Sequence, residues 1–319
     1  MKKAFCRILA TGAFMAGSAS QAALALAALA DGGASDKGDE VSVPAAGSRI
    51  TPGLQLATRL IAAEAQVGVE DETIDRDAIA FLAVPSLSWT DGAAEIGFRN
   101  TLTRIEYLDE ARSDRWQNLA RLSGRLDITD RTGVTLFGER SDNLFVAEFT
   151  SADEWEAGAE IEHHIDKANR LQLGASWRER RYDDAGRTSG SGVRIDGEYR
   201  YRFAANHYAY LRARHERIGS ADARRDLSRW IAEASYQRPI ARDWRAGADL
   251  GFQRLEFTGR QIASGGMRTD DIVTPQVNMT YSPGAWRIAA RARYAFRNSS
   301  DPAFDRSGYR LELEVRYAF

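Results

Sequence analysis

The residues with the widest chemical range are four histidines, His163, His164, His207 and His215. A hydrolase would need one of them beside a nucleophile and an orienting acid. His163 and His164 are adjacent in the chain, and adjacent residues of a strand point to opposite faces, so these two rings cannot form one cluster. His215 stands beside Arg214 and Glu216, but no spacing marks a nucleophile. We therefore predict that the protein is not an enzyme, with a membrane hydrolase acting through His215 as an alternative.

The sequence predicts no metal or cofactor site. Its one cysteine, Cys6, lies near the N-terminus, and no cluster has the spacing of metal ligands. There is no glycine-rich phosphate loop. A formal net charge of −2 gives no basic field for holding DNA or RNA, so we expect no nucleic-acid partner.

A second group of residues could act on solutes, because it is charged and recurs at every second position. Its basic members are Arg194, Arg200, Arg202, Arg212, Arg214, Arg287, Arg291, Arg293 and Arg297, and its acidic members are Glu95, Glu154, Glu156, Glu160, Glu162, Glu198, Glu312 and Glu314. Separate acidic and basic walls around a pore would order water and favour small polar solutes. Pairing across neighbouring strands would instead only stabilise the wall. Both readings stay open, and the slight basic excess predicts weak anion preference.

The elements that must carry these charges are long β-strands. In the segment Gly308–Phe319 the residues alternate strictly between apolar and polar, which is the period of a strand. Fourteen such segments begin near residues 52, 77, 93, 115, 132, 153, 169, 190, 206, 225, 243, 270, 285 and 306. Short turns and longer polar loops alternate between them, among the latter Asn143–Asp153. The first segment, from Gly53 to about Val67, is the weakest, so twelve strands is an alternative.

Strand length and aromatic placement favour a membrane barrel over a soluble sandwich. Alternation over ten or more residues is about twice the usual soluble strand and suits a tilted membrane crossing. The segments carry aromatic residues near both ends and aliphatic residues between them, as expected for two interfacial girdles. Backbone polar groups cannot stay unpaired in hydrocarbon, so the sheet must close. The predicted fold is an all-β, closed antiparallel transmembrane barrel with a charged lumen.

The N-terminal region predicts export. A basic start at Lys2, Lys3 and Arg7 precedes an uncharged Ala- and Leu-rich run, typical of a signal peptide over residues 1–30. Cleavage is predicted after Ala22 or Ala30, and an uncleaved anchor is the alternative. Residues 31–50 are predicted to be a flexible periplasmic leader, and residues 51–319 the barrel.

The organisation resembles the β-barrel porin family of Gram-negative outer membranes, of the exopolysaccharide-associated type. The resemblance lies in residues 51–56 (TPGLQL) and 79–89 (IAFLAVPSLSW), where a Pro-x-Leu-x-Leu-like strand start recurs. The Asp-Asn pair expected after the first strand is replaced by Ala65-Gln66-Val67. The resemblance implies outer-membrane insertion and a link to a polysaccharide export machinery, and it supplies no site residues. The C-terminal Phe319 and Tyr317 resemble the signal read by the barrel assembly machinery.

These observations give two hypotheses from different classes. The first is an outer-membrane channel for small polar solutes or for a secreted polysaccharide. The second is a non-conducting structural or assembly-accessory barrel. In both, the direct partners are outer-membrane lipid and the assembly machinery.

Overall fold

The computed structural model describes residues 48–64, 76–109, 113–146, 150–183, 186 and 188–319. The predicted signal peptide, nearly all of the predicted leader and Val67 lie outside these ranges. Among the described residues, no helix is long and apolar enough to cross a membrane.

Fourteen strands close into one antiparallel barrel, in which each strand pairs with its neighbours in sequence and β1 pairs with β14. The strands are β1 Arg49–Ala63, β2 Ala78–Asp91, β3 Ala94–Tyr107, β4 Arg115–Thr129, β5 Thr132–Val146, β6 Thr150–His164, β7 Asn169–Tyr182, β8 Ser189–Ala204, β9 His207–Ser220, β10 Leu227–Ala241, β11 Trp244–Gln261, β12 Met267–Tyr281, β13 Trp286–Ser299 and β14 Arg306–Ala318. Two single-turn 3-10 helices, Ala223–Arg225 and Pro302–Phe304, lie in the β9–β10 and β13–β14 connections.

The strand count predicted from alternation is confirmed, and the twelve-strand alternative is wrong. The first strand was the weakest prediction, yet β1 pairs on both sides, with β2 and with β14. The long loop predicted at Asn143–Asp153 is also wrong in extent, because β5 continues to Val146 and β6 begins at Thr150. An irregularity in the pairing between Ser141 and Leu144, with Asn143 at φ 58°, lets the hairpin continue beyond the polar residues that suggested a loop.

Closure of the barrel removes the sheet edges that hydrocarbon would not tolerate. Residues Gln55 to Ala63 of β1 pair with Ala318 to Arg310 of β14. Beyond this ladder, the amide of Phe319 donates to the carbonyl of Leu54 at 2.9 Å. The C-terminal strand is thereby paired with the first strand from Arg310 to its end.

Four of the short turns contain a residue with left-handed backbone geometry. Gly92, Asn206, Asp243 and Gly284 have φ between 56° and 62°. Glycine lacks the Cβ that disfavours this region, and Asn and Asp tolerate it better than other residues do. At the β6–β7 turn, the carboxylate of Asp166 instead accepts from the amides of Ala168 and Asn169, at 2.7 and 2.8 Å. These residue types fix where each hairpin reverses.

The outer surface of the barrel is an aliphatic band between two sets of aromatic rings. Leu211 and Val277, both 59% exposed, lie in the band. At the short-turn end the ring of Tyr317 contacts Trp286 and Phe319, with centroids 4.8 and 4.7 Å apart. Toward the long-loop end the ring of Trp155 carries the guanidinium of Arg140 at 4.8 Å. Exposed apolar side chains between two amphipathic girdles are the surface that a bilayer covers.

Candidate functional site

The strand register places the charged residues predicted from the sequence on one face of the sheet. Antiparallel partners share a face, and Glu312 lies opposite both Arg291 and Ile61, while Glu198 lies opposite Arg212 and Gln172. The same comparison can be made strand by strand around the barrel. It places all nine predicted arginines and all eight predicted glutamates on the face opposite the exposed apolar band.

Contacts that pass over a strand identify this charged face as the interior. Arg194 Nη1 of β8 lies 2.9 Å from Glu156 Oε2 of β6, with β7 between them. Arg125 Nη2 of β4 lies 3.1 Å from Glu162 Oε1 of β6, with β5 between them. Side chains converge on the concave side of a closed sheet and diverge on the convex side, so such contacts form inside the barrel.

Exposure along the interior divides it into two halves. In the half next to the long loops, side chains are buried: Glu216 is 1% and Asp270 0% exposed. In the half next to the short turns exposure varies around the barrel, since the side chains of Arg125 and Arg212 are 34% and 39% exposed, whereas Glu314 is 1% exposed. The long-loop half is therefore filled around Glu216 and Asp270, and the short-turn half is more open on β4 and β9.

A buried network of ion pairs fills part of the long-loop half, on strands β6 to β10. Glu216 accepts from Arg229 at 3.0 Å and from Arg194 at 3.3 Å, and it also contacts Arg178. Glu154 accepts from Arg180 Nε at 2.7 Å and from Arg178 Nε at 2.9 Å. Buried charges need such partners, because removing a charge from water costs several kcal/mol unless it is paired and hydrogen-bonded.

On the acidic strand β6, the contacts show which of the two predicted arrangements is present: separate charged walls or pairing between strands. The predicted acidic residues Glu154, Glu156, Glu160 and Glu162 of β6 all contact arginines of β4, β7 or β8. Arg178, Arg180, Arg229 and Glu216 are the members that the sequence-based selection omitted. The alternation in β7 could have found two of them, because Ser176, Arg178 and Arg180 lie at every second position. On these strands the charges pair across the wall.

A second buried node lies on strands β12 and β13. The carboxylate of Asp270 accepts from Arg268 Nη2 at 2.9 Å and also contacts the predicted Arg297. The guanidinium of Arg268 covers the ring of Phe304 at 3.4 Å and that of Phe257 at 4.7 Å. Phe304 belongs to the second 3-10 helix, so this node fastens the β13–β14 connection to the interior.

Apolar side chains also fill parts of the long-loop half, which the sequence did not predict. One cluster joins β1 to β3 and contains Ile61, Leu82 and Ile105, and another joins β11 to β13 and contains Leu255, Phe257 and Ile272. Register places these residues on the charged face. A lumen that was polar throughout would not bury Ile105 and Ile272 completely.

In the short-turn half, paired charges line β4 to β9. Glu162 contacts Arg125 and Arg170 at 3.1 and 3.2 Å, and Glu198 contacts Arg170 and Arg212 at 2.7 and 3.1 Å. Glu95 lies opposite Arg125 in the register. The guanidinium of Arg200 covers the ring of Tyr208 at 4.2 Å. Arg202 and Arg214 share this face with Tyr208 and Asp196 as their register partners.

Strands β13 and β14 carry more arginine than carboxylate. Arg287 lies opposite Arg316, and Arg293 lies opposite Arg310. Two carboxylates lie among them: Glu312, 2.7 Å from Arg291, and Glu314, 3.0 Å from Arg316. This side of the interior has an excess of positive charge.

The histidines do not meet. His163 contacts Thr132 at 2.9 Å, His164 contacts Glu162 at 3.3 Å, and His207 contacts the Tyr236 hydroxyl at 2.9 Å. His215 stacks on Trp230 at 4.1 Å on the outer face and lies 3.3 Å from Ser228 Oγ. Within the described part of the chain no carboxylate contacts His215, so this Ser–His pair has no orienting acid there.

Comparison with solved structures gives barrels of the outer membrane. A bacterial polysaccharide outer membrane secretin superposes with a TM-score of 0.50 and 12% identity, over 84% of this chain and 98% of that one. The outer membrane channel DcaP of Acinetobacter baumannii gives 0.52 and 11%, over 86% and 98%. An anion-selective porin from Comamonas acidovorans gives 0.50 and 8%, over 86% and 100%.

No protein-family model and no curated protein matches the sequence. The likeness to solved structures therefore shows the fold: a closed outer-membrane barrel of the porin and channel type. At the level of the fold, this agrees with the porin resemblance drawn from the sequence. The fold and the apolar band together give the outer membrane of a Gram-negative bacterium as the location.

Proposed function

We propose that this barrel of the porin-type fold is a passive channel for small polar solutes. The observation that carries the proposal is the closed fourteen-stranded sheet with an apolar outer band and a charged interior. At about eight strands, side chains already suffice to fill a barrel, and a ring of fourteen encloses more room. The half-exposed charges of the short-turn half, such as Arg125 and Arg212, then line a water-filled vestibule.

The long-loop half sets the limit on what passes. Ion pairs around Glu216 and Asp270, and apolar clusters around Ile105 and Ile272, narrow the interior there. A narrow, charged passage favours small hydrated solutes over large or apolar ones, because each solute must exchange its hydration for the fixed charges of the wall. Passage is driven by concentration difference.

Export of a polysaccharide through the same lumen is the alternative to passage of small solutes. It is supported by the likeness of fold to the polysaccharide secretin and by the sequence resemblance to exopolysaccharide-associated barrels. Burial in the long-loop half does not favour it, because a polymer needs a continuous wide path. Small-solute passage is therefore the preferred function.

A specific observation also favours a second candidate, the non-conducting accessory barrel. Fully buried Asp270 and Glu216 fit an interior that is blocked at its long-loop end. Such a barrel would act through its surface, as an anchor or assembly partner.

Recording of the purified protein in planar bilayers separates these candidates. An open channel gives stepwise current on insertion, and a blocked barrel gives stable insertion without current. The variant Glu216→Gln tests the role of the inner network. Its matched control is Asp271→Asn, which removes one carboxylate from the outer face. Since Glu216 holds three arginines in the narrow half, we expect the first to change single-channel conductance and the second to leave it unchanged. Absence of current from verified inserted protein would contradict the channel proposal.

A further inference from the structure

A group of arginines meets in the short-turn half of the interior, away from the buried network. Arg287 of β13 and Arg316 of β14 are direct register partners. Like charges directly opposite on a sheet are destabilising. Arg99 of β3 lies close enough to Arg316 for their charges to interact, although β1 and β2 separate their strands. Arg245 and Arg291 approach Arg287 in the same way.

Two carboxylates of the described residues, Glu312 and Glu314, lie among these arginines. Glu312 is shared by Arg59, Arg291 and Arg310, at 3.2, 2.7 and 3.2 Å. Glu314 is shared by Arg59 and Arg316, at 2.6 and 3.0 Å, and its charge also reaches Arg287. Among the described contacts, Arg287 and Arg316 thus share the carboxylate of Glu314 with Arg59. The positive charge of Arg287 and Arg316 is only partly balanced.

The inner face between these arginines carries Gln55, Gly53 and Ser86 together with the apolar Ala57 and Val84. Arg316 Nη1 donates to Gln55 Oε1 at 3.1 Å on β1. On the same face, β1 continues with Gly53, whose register partner Ser86 lies opposite Arg99 on β3. The buried Nε atoms of Arg287 and Arg316 have no hydrogen-bond partner among the described residues.

We infer that Arg99, Arg287 and Arg316 form a binding site for a small oxyanion in the short-turn half of the lumen. Guanidinium groups present planar forks of donors that match carboxylate or phosphate oxygens in pairs, which a spherical ion cannot use fully. An oxyanion there would balance the excess charge of Arg287 and Arg316 and accept hydrogen bonds from their guanidinium groups. This inference rests on the proposed channel function, and it names small oxyanions as the class of solute that the channel binds.

The test uses inorganic phosphate as the probe and full-length barrel in planar bilayers with potassium chloride on both sides. For the wild type we expect phosphate to reduce the chloride current in a saturable manner. The double variant Arg287→Gln/Arg316→Gln should raise the half-blocking concentration about tenfold or more, as expected when charge-assisted hydrogen bonds are lost. Arg287→Lys/Arg316→Lys, which keeps the charge but loses the fork, should fall between the two.

Arg212→Gln is the matched control, because it removes an interior charge of the short-turn half at a site already paired with Glu198. We expect its half-blocking concentration to stay within about twofold of the wild type, since it removes no fork from the site. Equal effects of Arg212→Gln and the Arg287/Arg316 variants would show a general field and overturn the site.

A second measurement keeps the site testable if no current is seen. Phosphate should raise the unfolding midpoint of the wild-type barrel in detergent and have no such effect on Arg287→Gln/Arg316→Gln. Stabilisation by phosphate without current would contradict the channel function and support the oxyanion site. Current without any phosphate effect, in bilayer or detergent, would contradict the site and support the channel.

Discussion

Arg194 on β8 and Glu156 on β6 form an ion pair of 2.9 Å across the strand that separates them. The pair belongs to the inner face, where the same arginine also reaches Glu216 at 3.3 Å. Arg194 therefore connects β8 to both β6 and β9. The interior charges stabilise the wall, and in the proposed function they also act on the solutes inside it.

Removal of the Glu216 carboxylate should destabilise the barrel strongly. Glu216→Gln leaves Arg178, Arg194 and Arg229 without a shared counter-charge in a buried place. Breaking a buried pair in this way costs about 3–5 kcal/mol. The free energy of unfolding, measured by urea titration of the barrel in detergent or lipid, checks this value.

The control for Glu216→Gln is Asp271→Asn, which breaks the more exposed pair with Arg254 at 2.8 Å. Pairs of this kind contribute at most about 1 kcal/mol. Similar losses for the two variants would contradict the burial of the network.

A charge placed on the outer band should destabilise the barrel in lipid. Val277 is 59% exposed on the outer face, in the band between the girdles. Val277→Arg should cost about 2–4 kcal/mol, the penalty for arginine near the bilayer midplane. Gln276→Arg, one residue earlier, faces inward next to Asp249 and should cost less, because the new charge gains a carboxylate partner. Equal costs for the two variants in vesicles would argue against the assigned faces.

The number of strands and most of their ends could be predicted because they depend on local signals. Alternation shows a strand wherever it runs, and Gly92, Asn206 and Asp243 mark the reversals. The meeting of Arg178 with Glu216 was not predicted, because β7 and β9 are not neighbours and their contact depends on the register of both with β8.

The filled long-loop half also escaped prediction, for a related reason. Ile105 and Ile272 read as ordinary members of alternating strands, and nothing in their own segments tells that they pack inside the barrel. Likewise, Phe304 gains its role only when the second 3-10 helix folds against Arg268.

Loss of the last side chain should impair assembly in cells more than folding in vitro. Phe319 packs on Tyr317 at the short-turn end, and its proposed second role is recognition by the assembly machinery. Phe319→Ala should lower the amount of assembled barrel in the outer membrane and leave refolding in detergent nearly unchanged. Phe252→Ala, which removes another exposed outer aromatic, is the control. Equal amounts of assembled barrel for the two variants would contradict recognition of Phe319 by the assembly machinery and indicate only a role in the aromatic girdle.

The β6–β7 turn should resist acid. Hydrogen bonds from the amide of Ala168, and then from the side chain and amide of Asn169, hold the pKa of Asp166 below its ordinary value. A lowered folded pKa stabilises the turn above the ordinary aspartate pKa, and this contribution is lost as pH falls through the lowered value. The NMR shift of the Ala168 amide should therefore titrate at a lower pH than in an unstructured peptide of the same sequence. A midpoint equal to that of the peptide would contradict the hydrogen-bonded turn.

The most direct test of the whole account is the reactivity of single cysteines placed on the two faces. Cys6 is the only cysteine in the sequence, so Cys6→Ser provides a clean background for Gln276→Cys and Val277→Cys, which are adjacent on β12. In lipid vesicles, a charged thiol reagent that cannot cross the bilayer should label position 276 rapidly and leave position 277 unlabelled until detergent is added. Labelling of 277 but not 276, or equal labelling of both, would contradict a barrel whose charged face surrounds water and whose apolar face meets lipid.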